Sequence, residues 1–266
     1  MSGFSVSWLD LREPADHAAR DQGLADELVR YLRADTGLSP IVVDLGAGTG
    51  STLRALSAKG AEHCVWRLVD HDPALLNEAL RRHGQSSIVE DYQADLRDIA
   101  ALPLGGMTLL SASALFDLMS AELMDALVVR VKQQSAAFYA ALNYDGRTQW
   151  TPPHPLDAAV LEAFNTDQRR DKGLGPALGP DAAAYLTTAL QQAGYSVQQA
   201  DSPWRLGAEH EPLVSELITG IRAAVANSPG LSATALDDWQ AFRLAHAGSG
   251  QCMVGHLDVL AFPDGA

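Results

Sequence analysis

Cysteine is scarce in this chain of 266 residues, which contains only Cys64 and Cys252. Each cysteine lies in an apolar run, where a thiol behaves as a small hydrophobic side chain. Neither belongs to a Cys-x-x-Cys pair or to a cluster of cysteine and histidine, the spacings that indicate zinc sites. We therefore expect no bound metal.

Long apolar runs are also absent. No uninterrupted stretch approaches the roughly 20 residues that a membrane-spanning helix needs. The first ten residues, MSGFSVSWLD, lack the basic and apolar regions of a secretory signal. These absences predict a cytoplasmic protein without a membrane partner.

Basic residues are in the minority, since 19 Lys and Arg stand against 33 Asp and Glu and the formal net charge is -14. Nucleic-acid binding gains much of its affinity from neutralised phosphates, and this charge opposes it. The only short basic cluster that we find contains Arg169, Arg170 and Lys172. We therefore expect no nucleic-acid partner.

The rest of the composition is that of an ordinary globular protein, with 47% hydrophobic and 20% charged residues. Strand and helix patterns alternate through the first two thirds, which predicts a doubly wound parallel sheet. The expected strands cover residues 41–45, 65–69, 87–92, 107–111, 136–142, 195–200 and 253–262. The expected helices cover residues 14–34, 51–58, 73–82, 121–133, 156–164, 181–193, 212–226 and 233–247.

A glycine-rich turn follows the first expected strand. Gly46, Gly48 and Gly50 alternate with other residues, and glycine lets a backbone come close to a ligand because no Cβ intervenes. The helix expected behind them directs its free N–H groups into the same space. The Gly-x-Gly-x-x-Gly spacing of dinucleotide sites is not met, and no Gly-Lys-Ser/Thr follows as in a phosphate-binding P-loop.

The run Asp44-x-Gly46-x-Gly48-x-Gly50 resembles motif I of the class I S-adenosylmethionine-dependent methyltransferases. The resemblance covers roughly residues 38–142. The segment that contains Asp70, at the end of the second strand, looks like the second motif of that family. Asp95, within Ala-Asp-Leu, looks like the acidic motif after the third strand.

This resemblance implies an α/β fold, a Rossmann-like three-layer sandwich. Its seven-stranded sheet would be mostly parallel, with the last strand antiparallel and with helical cap insertions. The implied cofactor is S-adenosylmethionine, with S-adenosylhomocysteine as the product. The residues implied to bind it are Asp44, Gly46, Ala47, Gly48, Gly50, Asp70, His71, Asp95, Leu96, Ser111 and Ala112.

The implied roles differ along the cofactor. The glycines line the methionine and ribose part, and Asp44 interacts with the amino end. Asp70 accepts hydrogen bonds from the ribose hydroxyls, and Asp95 binds the adenine amino group beside the Leu96 backbone. Ser111, with Ala112, lines the floor near the transferred methyl.

We expect methyl transfer to a small-molecule acceptor, with oxygen favoured over nitrogen. The run after the fourth strand, Ser-Ala-Ser-Ala-Leu-Phe-Asp, lacks the Asn/Asp-Pro-Pro-Tyr signature of relatives that methylate amide or exocyclic amino nitrogens. Three alternatives stay open at this point: an RNA or protein acceptor, transfer of a group other than methyl, and a non-catalytic module that binds the cofactor.

Acceptor specificity is expected from additions around the carboxyl ends of the strands, where ligands bind in open α/β sheets. We divide the chain into an N-terminal helical segment, 1–37, and a methyltransferase domain, 38–266. The N-terminal segment and the insertions 144–180 and 204–250 are expected to form a cap over the acceptor. Alternatively, these helices only cover apolar sheet or form a homodimer contact.

The first candidate catalytic residue lies in the irregular region after the fifth strand. An oxygen acceptor usually needs a general base, and His154 is the first candidate, followed by Tyr144 and His246. An acceptor carboxylate or phosphate would suit the basic cluster. The candidate substrate-binding residues are Trp150, Arg169, Arg170 and Lys172.

Overall fold

The computed structural model describes residues 4–34, 39–85 and 88–265. The expected domain boundary at 37/38, the first residue of the strand expected at 87–92 and the last residue of the domain expected at 38–266 lie outside this part of the chain. The helices are α1 Val6–Ala19, α2 Gln22–Ala34, α3 Ser51–Leu56, α4 Pro73–His83, α5 Ala121–Gln133, α6 Asp157–Gln168, α7 Ala182–Gln192, α8 Glu211–Ala224 and α9 Ala233–Ala245. The strands are β1 Ile41–Leu45, β2 Val65–Asp70, β3 Ile88–Gln93, β4 Leu109–Ser113, β5 Ala137–Thr151, β6 Tyr195–Asp201, β7 Trp204–Leu206 and β8 Gln251–Pro263.

The strands form one sheet in the order β3-β2-β1-β4-β5-β8-β6, with β7 paired to β8 beside this path. Strands β1 to β5 are parallel to one another. Strand β8 runs antiparallel to β5, β6 and β7. The expected mostly parallel sheet with its last strand antiparallel is therefore confirmed. Strand β7 is an eighth strand, in addition to the seven that were expected.

Helices cover both faces of the sheet, as a three-layer sandwich requires. Alternate residues of a strand point to opposite faces, so Val42 and Val43 of β1 belong to different cores. One core contains buried leucines of α5 and α7, and the other contains buried leucines of α2, α3 and α4. Both faces of the central strands are therefore buried.

A third core extends the sheet beyond the two-sided sandwich. Strand β5 continues nine residues past the expected end at residue 142, and β8 follows it as an antiparallel partner. Trp239 of α9 and Ile218 of α8 are fully buried against this extension, where they join Tyr144 and Trp204. The insertion expected to start at residue 144 thus begins inside a strand.

The helix expected over residues 14–34 is wrong in one respect, because two helices occupy this region. Helix α1 begins at Val6, where the Ser5 hydroxyl accepts a hydrogen bond from Trp8 N at 3.1 Å. The chain becomes extended at Arg20, and Asp21 then accepts a hydrogen bond from Leu24 N at 2.8 Å, which starts α2.

None of the helices that the structure describes has the length and apolar character of a membrane-spanning segment.

Candidate functional site

The turn between β1 and α3 depends on glycine. Gly46, Gly48 and Gly50 have φ angles of +60°, +54° and +85°. Residues with a Cβ rarely adopt these left-handed conformations, because the Cβ approaches the following carbonyl. The three glycines therefore let the chain turn sharply from the end of β1 into the first turn of α3.

Asp70 ends β2 beside this turn. Its Oδ2 accepts a hydrogen bond from Gly48 N at 2.9 Å, and its Oδ1 accepts one from Asp72 N at 3.0 Å. The side chain is buried, with 7% of its surface exposed. These two bonds fix the carboxylate at the carboxyl edge of the sheet and tie the glycine turn to it.

Asp95 follows β3 at the same edge. Its carboxylate pairs with the Arg97 guanidinium and accepts a hydrogen bond from Arg97 N at 2.9 Å. These bonds lower the pKa of Asp95 to about 2. The carboxylate is therefore ionised at neutral pH and stays half-exposed, with 47% of the side chain accessible.

One cavity of about 390 Å³ lies against these groups. Its walls combine the glycine turn, the ends of β2, β3 and β4, the helix α1 and the segment 172–174. Eight residues expected to bind cofactor or substrate line it together: Gly46, Ala47, Gly48, Asp70, His71, Asp95, Leu96 and Lys172. Residues from separate parts of the sequence thus share one wall.

Four other residues expected to bind the cofactor are not among the lining residues: Asp44, Gly50, Ser111 and Ala112. Asp44 is buried within the sheet, where it accepts a hydrogen bond from Ser111 Oγ at 2.6 Å. Burial raises the pKa of Asp44 to about 6, although the bond from Ser111 opposes the shift. Strand β4 runs to Ser113, so Ser113, Ala114 and Leu115 line the cavity in place of Ser111 and Ala112.

The expected catalytic residues lie elsewhere. His154 precedes α6, where its Nδ1 accepts a hydrogen bond from Leu156 N at 3.2 Å and its ring packs on Phe242. Tyr144 is buried in the third core and donates its hydroxyl to Asn165 Oδ1 at 2.8 Å. Burial raises the pKa of Tyr144 to about 12. Neither residue lines the cavity, and neither do Trp150 and His246.

The remaining substrate candidates are also engaged in the fold. Trp150 stacks under the guanidinium of Arg243, 5.1 Å from its ring centroid, in the third core. Arg169 pairs with Asp181 at 2.9 Å, and Arg170 pairs with Asp167 at 3.3 Å. Lys172 also pairs with Asp167, yet it alone of the basic cluster reaches the cavity.

Helix α1, part of the N-terminal segment that was expected to form a cap, contributes side chains to the cavity that the sequence did not single out. Leu9, Arg12 and Asp16 line the cavity from above the glycine turn. Arg12 Nε donates to Asp16 Oδ2 at 2.8 Å, and Trp204 Nε1 donates to Asp16 Oδ1 at 2.9 Å. The i,i+4 spacing of Arg12 and Asp16 was the available signal, but it is equally typical of any exposed helix.

Ionic contacts hold α1 in place over α3 and α4. Arg54 Nε donates to Glu13 Oε1 at 2.6 Å, and Arg82 Nη1 donates to Asp10 Oδ1 at 2.7 Å.

The described part of the chain contains no cluster of three or more His, Cys, Asp or Glu side chains suited to a metal. The cavity wall combines carboxylates, backbone amides and apolar side chains.

Similarity to solved structures is at the level of the fold. The chain is similar to the YcgJ protein from Bacillus subtilis, with a TM-score of 0.52, 13% identity and coverage of 92% of this chain and 100% of that one. It is also similar to precorrin-6y C5,15-methyltransferase from Geobacter metallireducens, with a TM-score of 0.46, 11% identity and coverage of 92% of this chain and 88% of that one. For geranyl diphosphate C-methyltransferase from Streptomyces coelicolor the TM-score is 0.43, the identity is 13%, and the match covers 89% of this chain and 76% of that one.

Sequence comparison adds nothing to this similarity. No protein-family model matches the chain, and no curated protein does so either. Strand β8 lies between β5 and β6 and runs antiparallel to both. This arrangement agrees with the architecture that the resemblance to motif I implies. The chain has the class I methyltransferase fold.

Proposed function

We propose that the chain binds S-adenosylmethionine in the cavity beneath α1 and transfers its methyl group to a small molecule. One observation carries the proposal. The glycine turn, Asp70 and Asp95, which close three neighbouring strands, line the same cavity of about 390 Å³. Ligand pockets for small molecules usually begin at about 300 Å³, so the space suits an adenosyl ligand.

The hydrogen-bond acceptors and apolar side chains of the cavity fit the cofactor. Two backbone N–H groups use part of the capacity of the Asp70 carboxylate, which has about four acceptor sites. The remaining acceptor sites would accept hydrogen bonds from the two ribose hydroxyls. Leu75 and Leu96 supply apolar wall for the adenine, and the Asp95 carboxylate would accept a hydrogen bond from its amino group.

Three acids, Asp16, Asp70 and Asp95, line the cavity and would attract a cationic ligand, and three basic residues, Arg12, Arg97 and Lys172, line it with them. The cofactor supplies a methyl group bound to a positively charged sulfur, which is the chemistry that methyl transfer needs. Asp95 is ionised at neutral pH because Arg97 lowers its pKa to about 2. Asp44 lies buried under the turn with a pKa of about 6, so it becomes anionic near neutrality and would attract the amino end.

The enclosed cavity supports a small acceptor. Leu9, Arg12 and Asp16 of α1 and the segment 172–174 line the cavity together with the residues at the end of β4, so an acceptor would be enclosed by elements from both sides. A nucleic-acid acceptor is also disfavoured by the net charge of -14. An acceptor that enters beneath α1 would be positioned beside the methyl, and positioning supplies much of the rate of such reactions.

Calorimetry with S-adenosylmethionine and S-adenosylhomocysteine tests the binding step. We expect both ligands to bind the unchanged chain and to bind Asp70→Asn at least about tenfold more weakly, because an amide accepts fewer hydrogen bonds. Asp72→Asn is the matched control, since Asp72 caps α4 and its side chain does not line the cavity. No binding heat with the unchanged chain would refute the proposal.

The transfer step needs a separate measurement. Incubation with methyl-labelled cofactor and a cell metabolite extract should yield a labelled small molecule, identified by mass spectrometry. Label in RNA or protein, with none in small molecules, would overturn the small-acceptor part of the proposal. Binding without any labelled product would favour a non-catalytic module.

A further inference from the structure

Helix α1, which we call the roof of the cavity, contributes both an acid and a base to its wall. Leu9, Arg12 and Asp16 follow one another at intervals of three and four residues, so they share one face of the helix. All three line the cavity. The side chains of Arg12 and Asp16 are only 13% and 9% exposed. A largely buried ion pair is therefore part of the cavity wall.

The Arg12 guanidinium has unused hydrogen-bond donors. Its Nε donates to Asp16 Oδ2 at 2.8 Å and its Nη2 donates to Asp16 Oδ1 at 3.0 Å, and it makes no other hydrogen bond to the described residues. A guanidinium has five N–H donors in a planar fork. Both N–H groups of Nη1 and one of Nη2 are therefore unused. They form the outer end of the fork, which can bind a carboxylate through two hydrogen bonds.

Asp16 also has an acceptor site to spare. Trp204 Nε1 donates to Asp16 Oδ1 at 2.9 Å, so among the described residues Oδ1 accepts two hydrogen bonds and Oδ2 accepts one. Each oxygen of a carboxylate has about two acceptor sites. Asp16 Oδ2 can therefore accept one more hydrogen bond, and an ammonium group beside Arg12 would supply the donor.

Three elements fix the position of this pair. The Arg12 guanidinium lies 5.0 Å from the ring centroid of Trp204, which belongs to β7. Asp117, buried in the 3-10 turn Phe116–Leu118 after β4, interacts electrostatically with Arg12. The third element is α1 itself. Because the fold orders the guanidinium, a ligand need not immobilise a long side chain when it binds.

The pair lies toward the end of the cavity that is opposite Asp95. In the sheet, β2 and β3 lie on one side of β1, and β4, β5 and β8 lie on the other. Asp95 follows β3 and Asp70 ends β2, whereas Arg12 and Asp16 contact Trp204, whose strand pairs with β8. A ligand with its adenine at Asp95 and its ribose at Asp70 would therefore extend its remaining part toward Arg12 and Asp16.

The other two bases of the wall belong to the Asp95 side. Arg97 pairs with Asp95, and Asp171, next to Lys172 in the chain, interacts electrostatically with Arg97. The acid and base at the opposite end are thus Asp16 and Arg12.

S-Adenosylmethionine ends in an α-amino acid, which has an ammonium and a carboxylate on the same carbon. Asp44, which was expected to interact with this amino group, is buried below the turn and is not among the lining residues. Arg12 and Asp16 are adjacent lining residues of opposite charge, and each has unused hydrogen-bonding capacity. Their chemistry is therefore complementary to both charged groups of the amino acid.

We propose that Arg12 and Asp16 bind the amino-acid end of the cofactor, with Arg12 donating to the carboxylate and Asp16 accepting from the ammonium. The proposal rests on the proposed function, because it requires the adenosyl part to bind at Asp70 and Asp95. Since Arg12 and Asp16 both belong to the roof, the amino-acid end fastens α1 over the cavity. The site therefore selects the complete cofactor over adenosyl compounds that lack this end.

Three adenosyl ligands with the same neutral sulfur separate these contacts without a known acceptor. S-Adenosylhomocysteine has both charged groups, its decarboxylated form keeps only the ammonium, and 5′-methylthioadenosine has neither. We expect calorimetry to show that the unchanged chain binds S-adenosylhomocysteine at least about tenfold more tightly than 5′-methylthioadenosine, because hydrogen bonds to charged groups are the stronger ones. The decarboxylated ligand should have an intermediate affinity.

Substitutions assign each contact to its residue. Arg12→Gln should weaken S-adenosylhomocysteine at least about tenfold, but it should not weaken the decarboxylated ligand or 5′-methylthioadenosine. Arg12→Lys keeps the charge without the fork, so it should restore part of the affinity, and it serves in place of Arg12→Gln if that variant does not fold. Asp16→Asn should weaken the decarboxylated ligand at least about tenfold and change 5′-methylthioadenosine by no more than about twofold.

Arg222→Gln is the matched control. It removes the same charge from α8, where Arg222 pairs with Asp237 at 2.8 Å and does not line the cavity. All three affinities should stay as they are in the unchanged chain.

Hydrogen exchange of α1 is the second readout, and a merely structural role of the pair would not produce the expected result. At equal saturation, S-adenosylhomocysteine should slow amide exchange in Val6–Ala19 at least several-fold more than 5′-methylthioadenosine does, because only the first ligand fastens the roof. In Arg12→Gln this difference between the two ligands should disappear.

The outcomes separate this inference from the proposed function. No heat with S-adenosylhomocysteine or 5′-methylthioadenosine would refute the proposed function itself. Equal affinities of the unchanged chain for these two ligands, or an equal loss of both affinities in Arg12→Gln, would refute only the role of Arg12 and Asp16. Equal protection of α1 by the two ligands would overturn the fastening of the roof.

Discussion

Leu9 of α1 lies directly over Gly48 of the glycine turn, and its Cδ1 is 2.9 Å from the position that a Cβ on Gly48 would occupy. Gly48 also has a φ of +54° and donates its N–H to Asp70. The turn is therefore closed in from above by the roof and fixed from the side by the acid of β2. Several consequences of this packing can be measured.

We expect Gly48→Ala to weaken binding of S-adenosylmethionine by at least about tenfold. The added Cβ strains the left-handed backbone by roughly 1–2 kcal/mol and displaces either Leu9 or the turn. Calorimetry measures the affinity, and urea unfolding measures the stability. Gly105→Ala is the control, because a Cβ there meets nothing within 4 Å. Unchanged affinity in Gly48→Ala would show that the turn does not contact the ligand.

The contact between Glu13 and Arg54 should control how long a ligand stays beneath α1. We expect Glu13→Gln to speed dissociation of S-adenosylhomocysteine several-fold, up to about tenfold, because a charge-assisted hydrogen bond contributes about 1.5 kcal/mol. Stopped-flow displacement measures the rate. Glu216→Gln, on the exposed side of α8, should leave it unchanged. Equal rates in all three proteins would mean that the ligand leaves without movement of α1.

Asp44 should make the fold less stable as pH rises. Burial raises its pKa to about 6 in the folded protein, from an ordinary value of 3.8. The folded state therefore binds a proton more tightly than the unfolded state between pH 4 and 6, and stability falls across that window. Asp44→Asn removes this contribution and keeps an oxygen that can accept from Ser111.

The measurement is urea unfolding of both proteins at pH 4.5 and pH 7. The stability of Asp44→Asn relative to the unchanged chain should rise by roughly 1–3 kcal/mol between these values. A difference between the two proteins that is the same at both pH values would contradict the raised pKa. Other titrating groups cancel, because both proteins contain them.

Asp258 should be among the most sensitive positions for stability. Its fully buried carboxylate accepts hydrogen bonds from Asp21 N at 2.9 Å, Leu142 N at 2.8 Å, Ser202 Oγ at 2.6 Å and Tyr139 Oη at 3.3 Å. We expect Asp258→Ala to lower the free energy of unfolding by about 3–5 kcal/mol, because several buried donors lose their acceptor. Ser202→Ala removes one bond and should lose only about 1 kcal/mol. Thermal and urea unfolding measure both, and similar losses in the two variants would contradict the central role of Asp258.

The mostly parallel sheet and the cofactor wall were predictable because their signals are local. Apolar runs separated by helical patterns give a parallel sheet, and the carboxyl ends of its strands must meet at one edge. Asp70 and Asp95 follow two such strands, so their shared cavity follows from topology. The glycine turn was equally predictable, because a left-handed backbone conformation excludes most other residue types.

The acceptor side was not predictable in the same way. His154 and Tyr144 lie in the region where a base was expected, but α6 and the extension of β5 place them against Phe242 and Asn165. Arg12 was not a candidate at all, because it precedes the helix expected over residues 14–34. Nothing local distinguishes a side chain that faces a cavity from one that faces a neighbouring core.

The sequence by itself determined the sheet, the glycine turn and the acids that close the first strands, because each depends on residues close together in the chain. Only the tertiary structure decided which side chains of α1 line the cavity, and that Asp117 is buried where Arg12 and Tyr144 interact with it. Those contacts join α1, the turn after β4 and β5. Their geometry depends on how whole helices pack on the sheet, which a spacing of residues does not specify.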